Sequence, residues 1–155
     1  YSDLNCSDSM RSAEYEAQLL KQYPNELRIV YKHRPLAMHP SAPIAAAIME
    51  AVAMQAPDKV WDFHRAAFNP QTAMMAMFMG PQVYGQILHG MGLDLQRLQD
   101  DANGVEARRR VKEDLAEAES FGFHGTPSFV FDGEPIKGGG SPELMMETVT
   151  KELGR

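Results

Sequence analysis

The spacing of apolar residues divides the chain into helical blocks separated by two short extended stretches. Ser7, Asp8 and Ser9 supply capping oxygens, and Met10, Ala13, Ala17 and Leu20 recur at helical spacing, which predicts a helix from Ser7 to Gln22 stopped by Pro24. Leu27 to Lys32 reads as a strand centred on Ile29, Val30 and Tyr31, ended by Pro35 and Pro40. A long helical region follows: Ala42 to Gln55, then a helix opened by Pro57 that carries Val60, Trp61, Phe63, His64 and Phe68. Residues 71–92, rich in methionine and punctuated by glycine, are read as helical, and Asp94 caps a short helix through Leu98. Beyond Gly104, Ala107, Val111, Leu115 and Ala118 form one face of a helix, with Glu113, Asp114 and Glu117 largely on the other.

After Gly122 the period changes. Ser128 to Phe131 is a β-prone run that ends at Asp132-Gly133, a two-residue hairpin signal, with Glu134 to Lys137 as the partner strand. Gly138, Gly139 and Gly140 make a loop, and Ser141-Pro142-Glu143 caps a final helix burying Met145, Val149 and Leu153. The chain opens in the end of a strand at Tyr1 to Asn5. A helix between two early strands favours a right-handed crossover and a parallel pair; the closing hairpin adds an antiparallel edge, and the last helix covers one face. The expectation is one α/β domain over residues 1–155, with a helical insertion at about 41–121 between the second and third strands and an N-terminal strand truncated at Tyr1.

Composition narrows the function classes. The formal charge is -6 and the pI about 5.3, so an acidic chain without a long basic stripe is a poor partner for nucleic acid or anionic membrane. The densest basic cluster, Arg108 to Arg110, has Glu106, Glu113 and Asp114 at ion-pairing spacing, as expected of a solvated helix face. The apolar runs Ala45 to Met49 and Ala73 to Met79 are far short of the roughly 20 residues that span a bilayer. Five histidines, at 33, 39, 64, 89 and 124, show no metal-ligand spacing, so no metal is expected. Met74, Met75, Met77 and Met79 are read as core of a helical cap rather than as an adaptable binding surface, and Trp61 as core.

The one cysteine, Cys6, immediately precedes the first helix. Its sulfur there lies near unsatisfied N–H groups and the positive end of the helix dipole, which favour thiolate, the form that attacks disulfides. The alternative, an inert buried cysteine, fits position alone equally well.

Four segments, in order, resemble the DsbA-like thioredoxin fold: Tyr1-Ser2-Asp3-Leu4-Asn5-Cys6, Arg34-Pro35-Leu36-Ala37-Met38-His39-Pro40, Val60 to Phe68, and Gly125-Thr126-Pro127-Ser128-Phe129-Val130-Phe131-Asp132-Gly133. The resemblance implies thiol–disulfide exchange at an accessible Cys6, and a Thr126-Pro127 loop that lies against it with a cis bond and pairs with an extended substrate. It also implies an exported, periplasmic setting, with a cytoplasmic one left open, and protein or peptide thiols and disulfides as partners. His39 and His64 match structural positions, and His124, three residues before Pro127, is a candidate thiolate partner.

The sequence departs from the family at the second thiol. The motif reads Cys6-Ser7-Asp8-Ser9, with Ser9 where the resolving cysteine is expected. A mixed disulfide can then be resolved only from outside, with glutathione as a possible co-substrate and no bound cofactor. Asp8 places a carboxylate near the sulfur and opposes the helix dipole. Two other classes follow from the same residues. One is a redox-inactive peptide-binding module, favoured by the missing second thiol; the other is a glutathione-dependent transferase or isomerase, against which Cys6 argues because such relatives usually carry serine there.

Overall fold

The structure is a computed structural model, and it describes residues 1–138 and 140–154. Among the described residues, eight α-helices and one hairpin follow in order: α1 (Ser7–Gln22), α2 (Ala42–Gln55), α3 (Val60–Ala67), α4 (Pro70–Met79), α5 (Tyr84–Gly90), α6 (Leu95–Asn103), α7 (Val105–Ser120), β1 (Val130–Phe131), β2 (Glu134–Pro135) and α8 (Pro142–Leu153). Short 3₁₀ turns at Pro57–Lys59 and Pro81–Val83 lead into α3 and α5. The caps account for several starts. Asn69, Asp94 and Ser141 each accept a backbone N–H of the first turn, from Gln71, Arg97 and Leu144 respectively.

The architecture is the α/β arrangement expected, with α2 to α7 inserted as a helical block, but its regular ladder is small. In β1 and β2, Val130 opposes Pro135 and Phe131 opposes Glu134, antiparallel. Asp132 and Gly133 turn the hairpin with φ of 50° and 86°, the left-handed pair a two-residue turn requires. On the other side of β1, Tyr1 and Ser128 exchange backbone bonds, the Tyr1 nitrogen donating to Ser128 O at 2.7 Å and Ser128 N to Tyr1 O at 2.9 Å. Ser2 in turn donates to Lys32 O and accepts from Arg34 N, each at 2.8 Å, forming a parallel bridge with His33.

The expected strand Leu27 to Lys32 is therefore corrected. Only its last residue, Lys32, is paired, and the pairing continues beyond it to Arg34; among the described residues the backbone of 28–31 makes no backbone hydrogen bond. Its alternation survives, with Arg28 and Val30 exposed and Leu27, Ile29 and Tyr31 partly buried. A ladder needs a neighbour, and Tyr1–Ser2 reaches only to residue 32. The strands expected at 128–131 and 134–137 shorten to β1 and β2, the helix expected at 95–98 runs on to Asn103, and the region 71–92 divides into α4 and α5 at Gly80, which has φ of 78°. In the triple-glycine loop, Gly139 lies outside the described residues.

Two apolar clusters hold these parts together. The larger joins Leu4 to Met49, Val52, Phe63, Tyr84 and Leu98 of the helical block. The smaller, Leu19, Met145 and Val149, ties α1 to α8 and receives Leu27, Phe129, Phe131 and Ile136. The methionines of α4 do not form the cap core that was expected. Met75 packs on the larger cluster, but Met74, Met77 and Met79 are exposed, because α4 buries only the narrow face around Ala76. Trp61 is likewise 37 % exposed, edge-on to the His64 ring. No described helix is long and apolar enough to cross a membrane.

Candidate active site

Cys6 is the residue before α1, with extended backbone (φ -94°, ψ 125°), and its carbonyl accepts the first helical bond from Met10 N at 3.0 Å. The preceding first-turn N–H groups have no acceptor within the helix, so they and the dipole converge beside the sulfur. Across 120 residues of sequence, Cys6 Sγ donates to Thr126 O at 3.5 Å. The Thr126–Pro127 bond is cis. The thiol is more enclosed than expected: Cys6 is only 8 % exposed, because the Thr126 loop lies over it.

The loop that delivers Cys6 is held by a residue the sequence reading passed over. Asp3 is 2 % exposed, and its carboxylate accepts from Asn5 N at 2.7 Å, Leu36 N at 2.9 Å and His39 Nδ1 at 2.8 Å. Its carbonyl accepts from Cys6 N at 3.0 Å, and its own N–H donates to Ser9 Oγ at 3.3 Å. One buried aspartate thus fastens the cysteine turn to the 34–40 segment. A solitary acid at a strand end has no periodicity to expose it; the available signal was its position three residues before Cys6, with His39-Pro40 beyond the next strand.

The other expected site residues fare differently. Ser9 is fully buried, one turn below the sulfur, and its carbonyl accepts from Ser12 Oγ at 2.9 Å. Pro127 is buried and Thr126 half-buried; Thr126 Oγ1 and Asn5 Oδ1 are buried with no hydrogen-bond partner among the described residues. Asp8 is exposed in the first turn of α1, and His124 is exposed, with no hydrogen bond or ion pair to Cys6 or to any other described residue. His39 is bound to Asp3, and His64 packs among Tyr31, Trp61 and Phe68. Burial first, then the Arg65 and His33 charges, lower the His64 pKa to about 4.

One trio gathers potential metal ligands: His33, Glu50 and Asp114 bring ligand atoms within 4.8 Å of one another. Arg110 and Lys32 already neutralise the two carboxylates, at 3.3 and 2.9 Å. This arrangement is complete as an ion-pair network. On α7, Arg109 pairs with Glu106 and Glu113 and Arg110 with Glu106, as expected, but Asp114 turns to Lys32 rather than to the arginine cluster.

The family model of the DSBA-like thioredoxin domain matches residues 1–150. The chain belongs to that family. Solved structures of the same fold include a thioredoxin-like oxidoreductase from Silicibacter pomeroyi DSS-3, with TM-score 0.76 and 24 % identity, covering 99 % of this chain and 83 % of that one. Pseudomonas aeruginosa DsbA2 gives 0.74 and 22 %, with 98 % and 85 % covered. Among curated sequences, the Na(+)/H(+) antiporter NhaA of Herminiimonas arsenicoxydans is 30 % identical over 138 residues, 89 % of this chain and 21 % of that protein. The NhaA of Nitrosospira multiformis is 28 % identical over 145 residues, 93 % of this chain and 22 % of its own length. This DSBA-like chain therefore spans about a fifth of the curated relatives it matches.

Proposed function

We propose that this DSBA-like chain exchanges thiols and disulfides through Cys6 alone, on protein or peptide substrates, with an external thiol of the glutathione class completing the cycle. The observation that carries the reading is the Cys6 sulfur at the start of a 16-residue helix, 3.5 Å from Thr126 O. In the thiol form Sγ–H donates to that carbonyl; on ionisation the bond is given up, and Thr126 O becomes free to accept a substrate backbone N–H.

The chemistry balances without a second thiol. Cys6 thiolate attacks one sulfur of a disulfide, forming one S–S bond as the old one breaks and its other sulfur departs as thiolate. A second, external thiolate then attacks the mixed disulfide and releases Cys6 as thiolate again. Ser9 cannot take that second step, and its Oγ is turned to Asp3 N inside the fold. An extracytoplasmic setting, as in the family at large, would supply the disulfides.

Oxidised glutathione should add one glutathionyl group to Cys6, visible by intact mass, and reduced glutathione should remove it. Ser9→Cys should then form an internal disulfide with Cys6 and gain activity on a reduced, unfolded substrate, since the two positions are one turn apart. Cys6→Ser should lose both reactions and remain folded. A second reading, a peptide-binding module without turnover, is favoured by the 8 % exposure of Cys6. It takes over if Cys6 resists oxidised glutathione in a chain that is folded by circular dichroism.

A further inference from the structure

From Ala66 to Leu93 the chain carries no aspartate, glutamate, lysine or arginine, although 23 % of its residues are charged. α4 lies inside that run and packs on the larger cluster through Met75 and Ala76. Met74, Met77 and Phe78, at the spacing that shares one helix face, point the other way and are 57, 69 and 81 % exposed. Pro70 and Gln71, one turn earlier on that face, are exposed as well. Single apolar residues on a surface are ordinary, but a contiguous apolar stripe marks a contact. The cations nearest in sequence are already committed: Arg65 pairs with Asp62, and Lys59 Nζ donates to Met91 O at 2.7 Å.

We infer that this face docks a second copy of the chain, α4 against α4 about a two-fold axis. Charge selects that occupant. An acidic macromolecule or an anionic lipid finds no free cation on α4, and a basic one finds no carboxylate. Two copies with a formal charge of -6 each repel at long range, but α4 itself brings no charge to the contact and leaves none to desolvate. Area agrees. At about 200 Å² for a whole side chain of this size, Met74, Met77 and Phe78 leave about 400 Å² open, and Pro70 and Gln71 raise it to about 500 Å². A two-fold contact uses the same patch on both copies and so buries about 1,000 Å², the least that a specific interface needs. The unbranched thioethers adapt to an opposing phenyl ring, so the two faces close without a preformed groove. The dimer is a weak one, half-formed at about 10–100 µM.

Sedimentation equilibrium from about 1 to 500 µM tests this in reducing buffer, which keeps Cys6 out of the readout. The expected result is a monomer–dimer equilibrium of the 17.3 kDa chain. Phe78→Glu should raise the dissociation constant at least about tenfold, since the axis applies the change to both copies, and Met77→Glu should do the same. Val105→Glu adds the same charge at an apolar position on α7 that is 77 % exposed, and should leave the constant within about twofold. Circular dichroism checks that each variant is folded, and if one α4 variant is not, the other decides. A monomer over the whole range overturns the proposal. So does a dimer that the α4 variants leave intact, or one that Val105→Glu weakens equally. Larger species in place of a dimer make the contact open-ended and overturn it too. A chain that stays monomeric and binds phosphatidylcholine vesicles, with Phe78→Glu releasing it, assigns the face to lipid and overturns it as well.

Discussion

Asp3 offers the sharpest test of how the cysteine turn is held. Asp3→Ala strips acceptors from three donors at once, Asn5 N, Leu36 N and His39 Nδ1, at 2.7, 2.9 and 2.8 Å. A buried donor left without a partner costs about 1–3 kcal/mol. Asn5, Leu36 and His39 are only partly buried, so water relieves some of that cost; the sum falls near 3–5 kcal/mol, the range for breaking a buried charged pair. Against a total stability of about 5–15 kcal/mol this is a large fraction. Asp3→Asn keeps one accepting oxygen but turns an NH₂ toward donors, and should cost about 2 kcal/mol. His39→Ala removes one bond from a carboxylate that keeps two others, and should cost about 1 kcal/mol. Urea unfolding followed by circular dichroism gives all three, and the Asp3→Asn/His39→Ala double mutant should show coupling above about 0.5 kcal/mol. The reasoning fails if Asp3→Ala costs less than about 1 kcal/mol, or if His39→Ala costs as much as Asp3→Ala.

Two further outcomes are expected. Because His64 is neutral in the fold, with its pKa lowered to about 4 by burial, the unfolded chain binds its proton first as pH falls. The folded state should lose up to about 2–3 kcal/mol between roughly pH 6.5 and pH 4, and be indifferent to this group above that window; urea midpoints across this range should be flatter in His64→Phe. At Gly140, a Cβ would sit 1.7 Å from Pro127 O and 2.8 Å from its carbonyl carbon, both backbone atoms. Gly140→Ala must therefore displace the Pro127 loop, and the rate of Cys6 glutathionylation should change several-fold, whereas the same change at the open Gly125 should leave it within about twofold.

Much of this was legible in the sequence because local chemistry and tertiary context agree. Ser7–Gln22 and Ala42–Gln55 carry their own period and stops, Asp132-Gly133 can hardly be anything but a hairpin turn, and Ser141-Pro142 starts α8. The strand at 27–32 failed as a ladder for a reason no local pattern contains: pairing is a property of two segments, and only Lys32 to Arg34 find a partner. Met74, Met77 and Met79 look like core by composition and lie exposed because α4 turns only the narrow face around Met75 and Ala76 toward its neighbours. At the site, Cys6, Thr126 and Pro127 were readable as an ordered set of motifs, but Asp3 was not. Its role depends on Leu36 and His39, more than 30 residues away. His124 illustrates the converse, since nearness in sequence to Pro127 carried no contact with the sulfur.

The 120 residues between Cys6 and Thr126 also set a schedule. On a ribosome adding about 5–20 residues per second, roughly 6–24 s separate the emergence of the thiol from that of the loop that covers it. For that interval the sulfur has neither its carbonyl partner nor the enclosure that leaves it 8 % exposed. In a newly made chain the thiol therefore stays uncovered until Thr126, about four-fifths of the way along the 155 residues, has emerged. Synthesis rate and local redox conditions thus bear on how much of the protein matures with a free Cys6.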